Sequence, residues 1–376
     1  MAMIVRSADQ LAREASALYE RTYHGAPSGV WLSPGRVNLI GDHVDYAFGV
    51  CLPLATTMAT VVAAAPRADR RVRMVSVDPT GATWEGEAHL DDVSALGDWR
   101  GYVAGTLWAL GSGGMDIAVV SDVPVGSGLS SSAALECSVA VAARDLYGLD
   151  ADLAAAAMRA ENEVVGANTG GLDQRACLYA RRGNALALDF LSGGMEQVEC
   201  RWPGHHLLVA NTNAAHSHAT GGYGSRRGLI DRVAAALGCT FREEGLVDQA
   251  VAWAQGTEDD PEVVRRRVRH VVTETRRTSE AIGALRGGDT ARLGELMNQS
   301  HDSLRDDYEV VTPELEAAVQ AARAAGAVGA RMTGGGFGGS IVALCEDPDA
   351  ATAEIVRAVP EADVYIVEPQ DGARRL

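Results

Sequence analysis

Apolar positions along the first eighty residues change from a helical period to a strand period. Residues 7–18 combine an S-x-x-Q capping box with apolar residues at helical spacing. Residues 30–40 and the β-branched runs TMATVVAAAP at 57–66 and RRVRMVSVD at 70–78 are typical of strands. The pattern therefore predicts an N-terminal helix followed by three strands.

Helix and strand patterns alternate through the rest of the chain. The predicted helices cover 99–112, 130–148, 152–165, 226–237, 261–285, 289–300 and 313–325, and the predicted strands cover 114–124, 184–190, 205–213, 327–332, 340–345 and 363–367. A Gly- and Pro-containing stretch at 192–204 separates two such groups. We therefore predict an α+β protein of two domains, 1–198 and 199–376, with a cleft between them.

Composition and charge narrow the possible partners. The 376 residues carry a formal net charge of −17, which disfavours nucleic acid as a partner. The one basic cluster, VVRRRVRH at 263–270, has helical spacing and is interpreted as a solvated helix face. No apolar run is long enough to span a membrane, and the N-terminus lacks the apolar core of a secretory signal. With six scattered cysteines and no CxxC pair, we expect a cytoplasmic protein that does not bind membranes.

The segment PGRVNLIGDHVDY at 34–46 crowds polar side chains onto an apolar, strand-like run. Arg36 and Asn38 lie among Val37, Leu39 and Ile40, and Asp42, His43 and Asp45 follow them. Two interpretations are open from the residues alone. The segment is either a surface turn after a strand, or its polar groups converge on a polar ligand.

The segment PVGSGLSSSAALE at 124–136 has the features of a phosphate site. Gly126 and Gly128 allow a tight turn, and three serines lead directly into a long helix. Free N–H groups and the helix dipole at a helix start favour bound anions. The alternative is a simple turn with a serine cap, but two glycines and three serines favour the anion site. No G-K-[ST] is present, so this is not a Walker A loop.

Three other segments have weaker signals when each is taken alone. MTGGGFGGSIVAL at 332–344 allows close approach of the backbone to a ligand, although a flexible turn is an alternative. In ENEVVGANTGGLDQ at 161–174, Asp173 follows a glycine turn, where carboxylates are usually turn or cap residues. His216 and His218 form an H-x-H without a nearby third ligand, and we interpret them as loop histidines instead of a metal site.

In this order and at these spacings, PGRVNLIGDHVDY, GSGLSSSAALE, GLDQ and MTGGGFGGS resemble the galactokinases, a branch of the GHMP small-molecule kinases. SHDSLRDDYEVVTPEL at 300–315 is also similar to a galactokinase segment, so the resemblance covers nearly the whole chain. It implies an N-terminal domain like ribosomal protein S5 domain 2 and a C-terminal ferredoxin-like domain. ATP and a sugar would bind in the cleft between them.

The resemblance also implies a role for individual residues of this chain. Arg36 and Asp173 would form the catalytic pair, with Asp173 as the acid-base residue, and Ser132 and Glu161 would hold Mg²⁺. The sugar would be bound by Asp42, His43, Val44, Asp45, Gly170 and Tyr223. ATP would be bound by Ser76 and by Gly126, Ser127, Gly128, Leu129, Ser130, Ser131 and Ser132.

Phosphorylation of galactose at the anomeric hydroxyl, giving galactose 1-phosphate and ADP for galactose catabolism, is the leading hypothesis. The chain reads GDHVDYA where galactokinases usually read GEHTDYN, so Asp42, Val44 and Ala47 depart from the pattern. A 1-kinase for a related sugar, tolerant of changes at C6, is therefore an alternative. A sensor that binds galactose and ATP without turnover is a third hypothesis, disfavoured because the serine loop, Arg36 and Asp173 are all present. We expect a monomer that requires MgATP.

Overall fold

The structure is a computed structural model that describes residues 3, 5–77, 82–94, 96–167, 169–214 and 219–376. The helices within these residues are α1 (Ala8–Tyr23), α2 (Trp99–Ala109), α3 (Ser131–Tyr147), α4 (Leu153–Arg159), α5 (Leu172–Tyr179), α6 (Ala219–Leu237), α7 (Leu246–Ala254), α8 (Pro261–Gly287), α9 (Thr290–Ser303), α10 (Pro313–Ala324) and α11 (Pro348–Ala358). The strands are β1 (Gly29–Asn38), β2 (Val50–Cys51), β3 (Pro53–Pro66), β4 (Arg71–Val77), β5 (Thr83–His89), β6 (Met115–Ser121), β7 (Asn184–Asp189), β8 (Gly194–Glu199), β9 (His206–Asn211), β10 (Gly329–Thr333), β11 (Ser340–Cys345), β12 (Asp363–Val367) and β13 (Arg374–Arg375).

A six-stranded sheet in the order β13-β1-β3-β6-β4-β5 is the centre of the N-terminal half. Only the β4–β6 pair is parallel among the pairs that join these strands in the described residues. On β3, Val61 and Ala63 pack towards α1, whereas Val62 and Ala64 pack towards α2 and α3. Burial on both faces explains why this strand is a continuous apolar run and not an alternating one.

The predicted ends of two helices are confirmed. Ser7 caps α1 by accepting from the Gln10 N–H, while the Gln10 side chain accepts from the Ser7 N–H, which completes the capping box. Helix α3 ends at Gly148, which has a left-handed conformation with a φ of 64°. Both ends follow from local sequence because a few adjacent residues determine each one.

A four-stranded antiparallel sheet in the order β10-β11-β9-β12 is the centre of the C-terminal half. Helices α6 to α10 connect β9 to β10, and α11 connects β11 to β12. This is the βαββαβ arrangement of the ferredoxin-like fold. The predicted α+β class and ferredoxin-like C-terminal sheet are confirmed.

Strands β7 and β8 form a hairpin that pairs with β2 in a third sheet. Strand β8 lies within 192–204, the stretch in which we place the domain boundary. The last strand, β13, pairs with β1, so the end of the chain returns to the N-terminal sheet. The boundary between residues 198 and 199 stays a prediction.

Several elements differ from the sequence-based assignment. The predicted helix at 152–165 is divided into α4 and a π-helical segment, Ala160–Val165. The basic segment 263–270 is not simply a solvated face, because Arg267 and His270 of α8 are buried. The interpretation holds for Arg265 and Arg269, which are 38% and 48% exposed, but not for Arg267 and His270. Arg267 and His270 contact partners distant in sequence, Asp307 and Asp42. No helix in the described residues is long and apolar enough to cross a membrane.

Candidate active site

A cavity of about 200 Å³ lies where the turn after β1, the start of α5 and the glycine-rich loop after β10 meet. Eight predicted site residues line it: Arg36, Asp42, His43, Asp45, Glu161, Gly170, Asp173 and Tyr223. Four further lining residues were missed by the sequence analysis: Thr169, Leu172, Gly334 and Gly335. All four lie within the segments 161–174 and 332–344 that the sequence singled out, but nothing in the sequence placed these particular residues around one cavity.

Arg36 and Asp173 form a two-pronged ion pair on the cavity wall. Nε and Nη2 of Arg36 donate to the two carboxylate oxygens of Asp173 at 2.8 and 2.7 Å. Asp173 lies in the first turn of α5, and Arg36 is buried near the end of β1. Such a forked pair fixes the orientation of the carboxylate as well as its charge.

The same pair is joined to the predicted phosphate loop. Nη1 of Arg36 donates to the Gly128 carbonyl at 2.5 Å, and its backbone N–H donates to the Leu129 carbonyl at 3.1 Å. The Ser130 hydroxyl donates to Asp173. The loop between β6 and α3 is therefore held directly beside the Asp173 carboxylate.

The serines at the start of α3 divide into two groups. Ser127 and Ser130 are buried, and their hydroxyls donate to the Pro124 carbonyl and Asp173. Ser131 and Ser132 open the helix and are only half-buried. N–H groups of a first helical turn lack acceptors within the helix, so this turn can bind phosphate oxygens.

The glycine-rich loop at 334–339 packs against the predicted phosphate loop between β6 and α3. A Cβ on Gly334 would lie 2.9 Å from the Gly128 carbonyl oxygen, and Gly334 has a φ of 82°. Both features exclude a larger side chain there without a shift of backbone. The glycines thus allow two backbone segments to approach each other closely. The sequence alone could not distinguish this role from that of a flexible turn.

Ser132 and Glu161 form a small group of oxygen donors at the cavity edge. The Ser132 hydroxyl donates to Glu161 at 3.2 Å, and the Gln174 amide donates to the other Glu161 oxygen at 2.6 Å. Burial, and then the nearby Asp173 charge, raise the Glu161 pKa to about 7. In the described residues no group of three or more His, Cys, Asp or Glu could hold a metal. A hydroxyl and a carboxylate nevertheless fit Mg²⁺, which commonly binds one or two protein carboxylates besides phosphates and water.

Asp45 faces the glycine turn before α5 at very short range. A Cβ added to Gly170 would lie 2.1 Å from Asp45 Oδ2, so only glycine leaves this carboxylate in place. Desolvation, followed by the Asp173 charge, raises the Asp45 pKa to about 6. Asp45 is therefore a carboxylate that is ionised at neutral pH and becomes neutral on mild acidification.

His43 lines the cavity, but both of its ring nitrogens have protein partners. Nδ1 lies 3.1 Å from the Tyr46 hydroxyl, and Nε2 lies 3.1 Å from the Gly335 carbonyl. Burial lowers the His43 pKa to about 3, so the ring is neutral near pH 7. Because a carbonyl only accepts, Nε2 carries the proton and Nδ1 accepts from Tyr46.

The predicted positions Val44 and Ser76 do not line the cavity. The Val44 side chain is buried in the apolar cluster that includes Ala47 and Leu172, so only its backbone could reach a ligand. Ser76 lies on β4 in register with Val119 of β6, the strand that precedes the phosphate loop. Its contact with ATP stays a prediction. His216 and His218 lie outside the described residues.

Comparison with known proteins first places the chain in a class. Family models described as the GHMP kinases N terminal domain and the GHMP kinases C terminal match residues 101–181 and 281–362. The structure is also similar to L. major mevalonate kinase in complex with R-mevalonate, with a TM-score of 0.62, 21% identity and coverage of 92% of this chain and 96% of that one. At 21% identity this structural similarity is evidence for the fold alone. Together with the two family models, it identifies the fold as that of a GHMP kinase.

Closer similarity identifies the branch. A galactokinase galactose-binding signature matches residues 17–66. A galactokinase of Streptomyces coelicolor is 41% identical over 378 residues, which cover 95% of this chain and 97% of the relative. The structure of Lactococcus lactis galactokinase complexed with galactose has a TM-score of 0.85 and 31% identity, covering 96% of this chain and 99% of that one. The chain therefore belongs to the galactokinase family.

Proposed function

We propose that this protein transfers the γ-phosphoryl group of ATP to the anomeric hydroxyl of galactose, giving galactose 1-phosphate and ADP. As a galactokinase family member it is a kinase that phosphorylates a sugar hydroxyl. One observation supports the proposal above the others: the Arg36–Asp173 pair contacts both the carboxylate-lined cavity and the phosphate loop. A polyol in the cavity would therefore lie beside the phosphoryl donor.

In the proposed mechanism, Asp173 accepts a hydrogen bond from the attacking hydroxyl. Phosphoryl transfer passes through a loose transition state, so positioning and charge stabilisation contribute most and the proton leaves late. Arg36 holds both Asp173 oxygens in fixed directions. Asp173 then acts as the proton acceptor or as the group that orients the hydroxyl, and both roles need the ionised carboxylate.

The sugar hydroxyls would be bound mainly by the carboxylates of the turn after β1. Carboxylates accept from two hydroxyls at once, and charge-assisted hydrogen bonds are stronger than neutral ones. Asp42 and Asp45 supply such acceptors, and Tyr223 closes the cavity beside the His43 ring at a centroid distance of 5.4 Å. A site that pairs many hydroxyls rejects analogues that leave its groups unpaired.

Ser132 and Glu161 would hold Mg²⁺, which when bound would neutralise charge on the phosphates of ATP. The N–H groups at the start of α3 would bind the phosphate oxygens. A monomeric, cytoplasmic enzyme remains our prediction from the sequence. The kinase for a related sugar and the sensor without turnover remain as alternatives, but galactokinase relatives and the intact Arg36–Asp173 pair favour galactose turnover.

A coupled ADP-release assay across a panel of monosaccharides tests the proposal. We expect the highest kcat/KM with galactose and no ADP release without a sugar. Preference for another sugar would support the related-sugar alternative. Binding of galactose and ATP without ADP release would support the sensor.

Gly170→Ala should selectively weaken the use of galactose. The added Cβ would displace the Asp45 carboxylate, and the loss of a hydrogen bond to a charged group would raise KM for galactose by about 10- to 100-fold. KM for ATP should change little. Gly283→Ala is the matched control because its Cβ would meet nothing within 4 Å. Unchanged KM for galactose in Gly170→Ala would contradict the placement of Asp45 at the sugar.

Binding of galactose without nucleotide should weaken as the pH falls through about 6. Because the Asp45 pKa is raised to about 6, this carboxylate is ionised at about pH 7.5 and mostly neutral at about pH 5. The charge-assisted acceptor is therefore lost on acidification, and the dissociation constant should rise by up to about tenfold per pH unit below the pKa. Calorimetric titration of wild type and Asp45→Asn measures this. A wild-type affinity that is constant from about pH 8 to about pH 5 would exclude Asp45 as the titrating group.

A further inference from the structure

A group of buried charged residues lies behind the turn that carries Asp42. Arg331 on β10 and Glu274 on α8 are completely buried. Nη2 of Arg331 lies 2.6 Å from Oδ2 of Asp42 and 3.9 Å from Oε1 of Glu274. Charged side chains are almost never buried to this extent unless they are paired. The close partner of Arg331 is Asp42, whereas Glu274 pairs closely with Arg277 of its own helix.

Several contacts of this turn come from the C-terminal half of the chain. The Gly41 N–H donates to Glu274 at 3.0 Å, and His270 Nε2 lies 3.2 Å from the Asp42 carbonyl. The Gly334 N–H donates to Oδ1 of Asp42 at 3.1 Å. The turn is thus fixed by α8, β10 and the glycine-rich loop and not by its own strand alone.

Arg331 also connects the turn to the end of β1. Its Nη1 donates to the Asn38 carbonyl at 3.1 Å, while Nη2 faces Asp42. One guanidinium therefore contacts the chain on both sides of residues 39–41. Because Asp42 lines the sugar cavity, a shift of Arg331 would move a cavity wall without touching the phosphate loop directly.

We propose that Arg331 and Asp42 act as one positioning unit that sets the sugar-facing turn for galactose, and this rests on the proposed function. Arg331 is a positioning residue, since it acts through Asp42 and does not line the cavity. Both oxygens of Asp42 already face protein donors, so the direction of its carboxylate is fixed by these partners before a sugar binds. Asp42, which is one methylene shorter than the glutamate usual at this position in galactokinases, lies 2.6 Å from Arg331, and galactose affinity depends on the pair.

A double-mutant cycle tests the proposal with Asp42→Asn, Arg331→Gln and the combined variant. Arg331→Gln leaves the buried Asp42 carboxylate without its cationic partner, and Asp42→Asn leaves Arg331 with the more distant Glu274 as its anionic neighbour. Each single substitution should raise KM for galactose by about 10- to 100-fold. KM for ATP should change by less than about threefold, a difference that general loss of structure would not produce. The combined variant should be no worse than the worse single variant because both act through one unit.

The exposed pair Arg70 and Asp91, 46% and 59% exposed, provides a matched control cycle with Arg70→Gln and Asp91→Asn. These variants should leave both KM values unchanged, since exposed ion pairs contribute little. If Arg331→Gln does not fold, Arg331→Lys keeps the charge without the fork and should still raise KM for galactose alone.

Effects of Asp42→Asn and Arg331→Gln that simply multiply in the combined variant would overturn the proposal. Equal rises in both KM values, or an Arg331→Lys variant with wild-type KM for galactose, would overturn it as well. Failure of the proposed function is a separate result, because it is seen in the wild type alone as a lack of galactose turnover. The cycle can then be measured with whichever sugar the wild type phosphorylates.

Discussion

Asp173→Asn should fold normally and lose kcat by about 10²- to 10⁴-fold, the usual contribution of a positioned acid-base group. The substitution keeps the shape of the side chain but removes the charge that faces the attacking hydroxyl. Arg36 would retain one acceptor in place of two carboxylate oxygens. KM for ATP should change little, because Asp173 contacts the phosphate loop directly through one hydroxyl, that of Ser130. The bond from Arg36 to the Gly128 carbonyl does not involve Asp173 and is kept in the variant.

Asp349→Asn provides a matched control for this experiment. Asp349 is the second residue of α11 as Asp173 is of α5, so both substitutions remove a similar interaction with the helix dipole. The control should keep wild-type kcat, and thermal unfolding should confirm that both variants are folded. Near-wild-type turnover by folded Asp173→Asn would contradict the assignment of the catalytic residue.

Glu161→Gln should raise the Mg²⁺ concentration needed for half-maximal activity by at least about tenfold, since even the partners of metal ligands commonly contribute 10- to 100-fold to affinity. The neutral amide keeps the shape and the contact with Gln174, but it is a poorer ligand for a hard cation. Ser132→Ala should have a smaller effect in the same direction, because it removes a neutral donor.

The matched control for the metal site is Glu163→Gln. Glu163 lies two residues further along the same π-helical segment, where its side chain is 53% exposed and pairs with Arg159. Titration of activity with Mg²⁺ at fixed ATP compares the variants. If Glu161→Gln and Ser132→Ala both respond to Mg²⁺ like the wild type, the metal is held by other residues.

Much of the fold could be predicted because local sequence determines it. The capping box of α1, the long apolar run of β3 and the glycine end of α3 each depend on adjacent residues. Strand β5 was missed because TWEGEAH contains a glycine and two glutamates and has little strand character. Helix α11 was missed although Asp347 and Pro348 are a recognisable start signal.

The candidate site could be predicted only as far as its motifs extend. Arg36, Asp45 and Asp173 lie in recognisable segments, and the structure brings them to one cavity. The role of Arg331 could not be found in this way, because its partner Asp42 is almost three hundred residues away in the sequence. The sequence did contain one indication of this role, which is a charged residue, Arg331, within an otherwise apolar strand. The polar residues within the apolar run at 34–46 are the same kind of feature.

The most direct test of the central claim is identification of the product formed from galactose and ATP by the wild-type protein. Phosphorus and proton nuclear magnetic resonance would show which carbon carries the new phosphate. We predict stoichiometric ADP and a sugar whose anomeric proton is coupled to phosphorus, which identifies galactose 1-phosphate. Phosphate on any other carbon, or ADP released without a phosphorylated sugar, would contradict the proposed function.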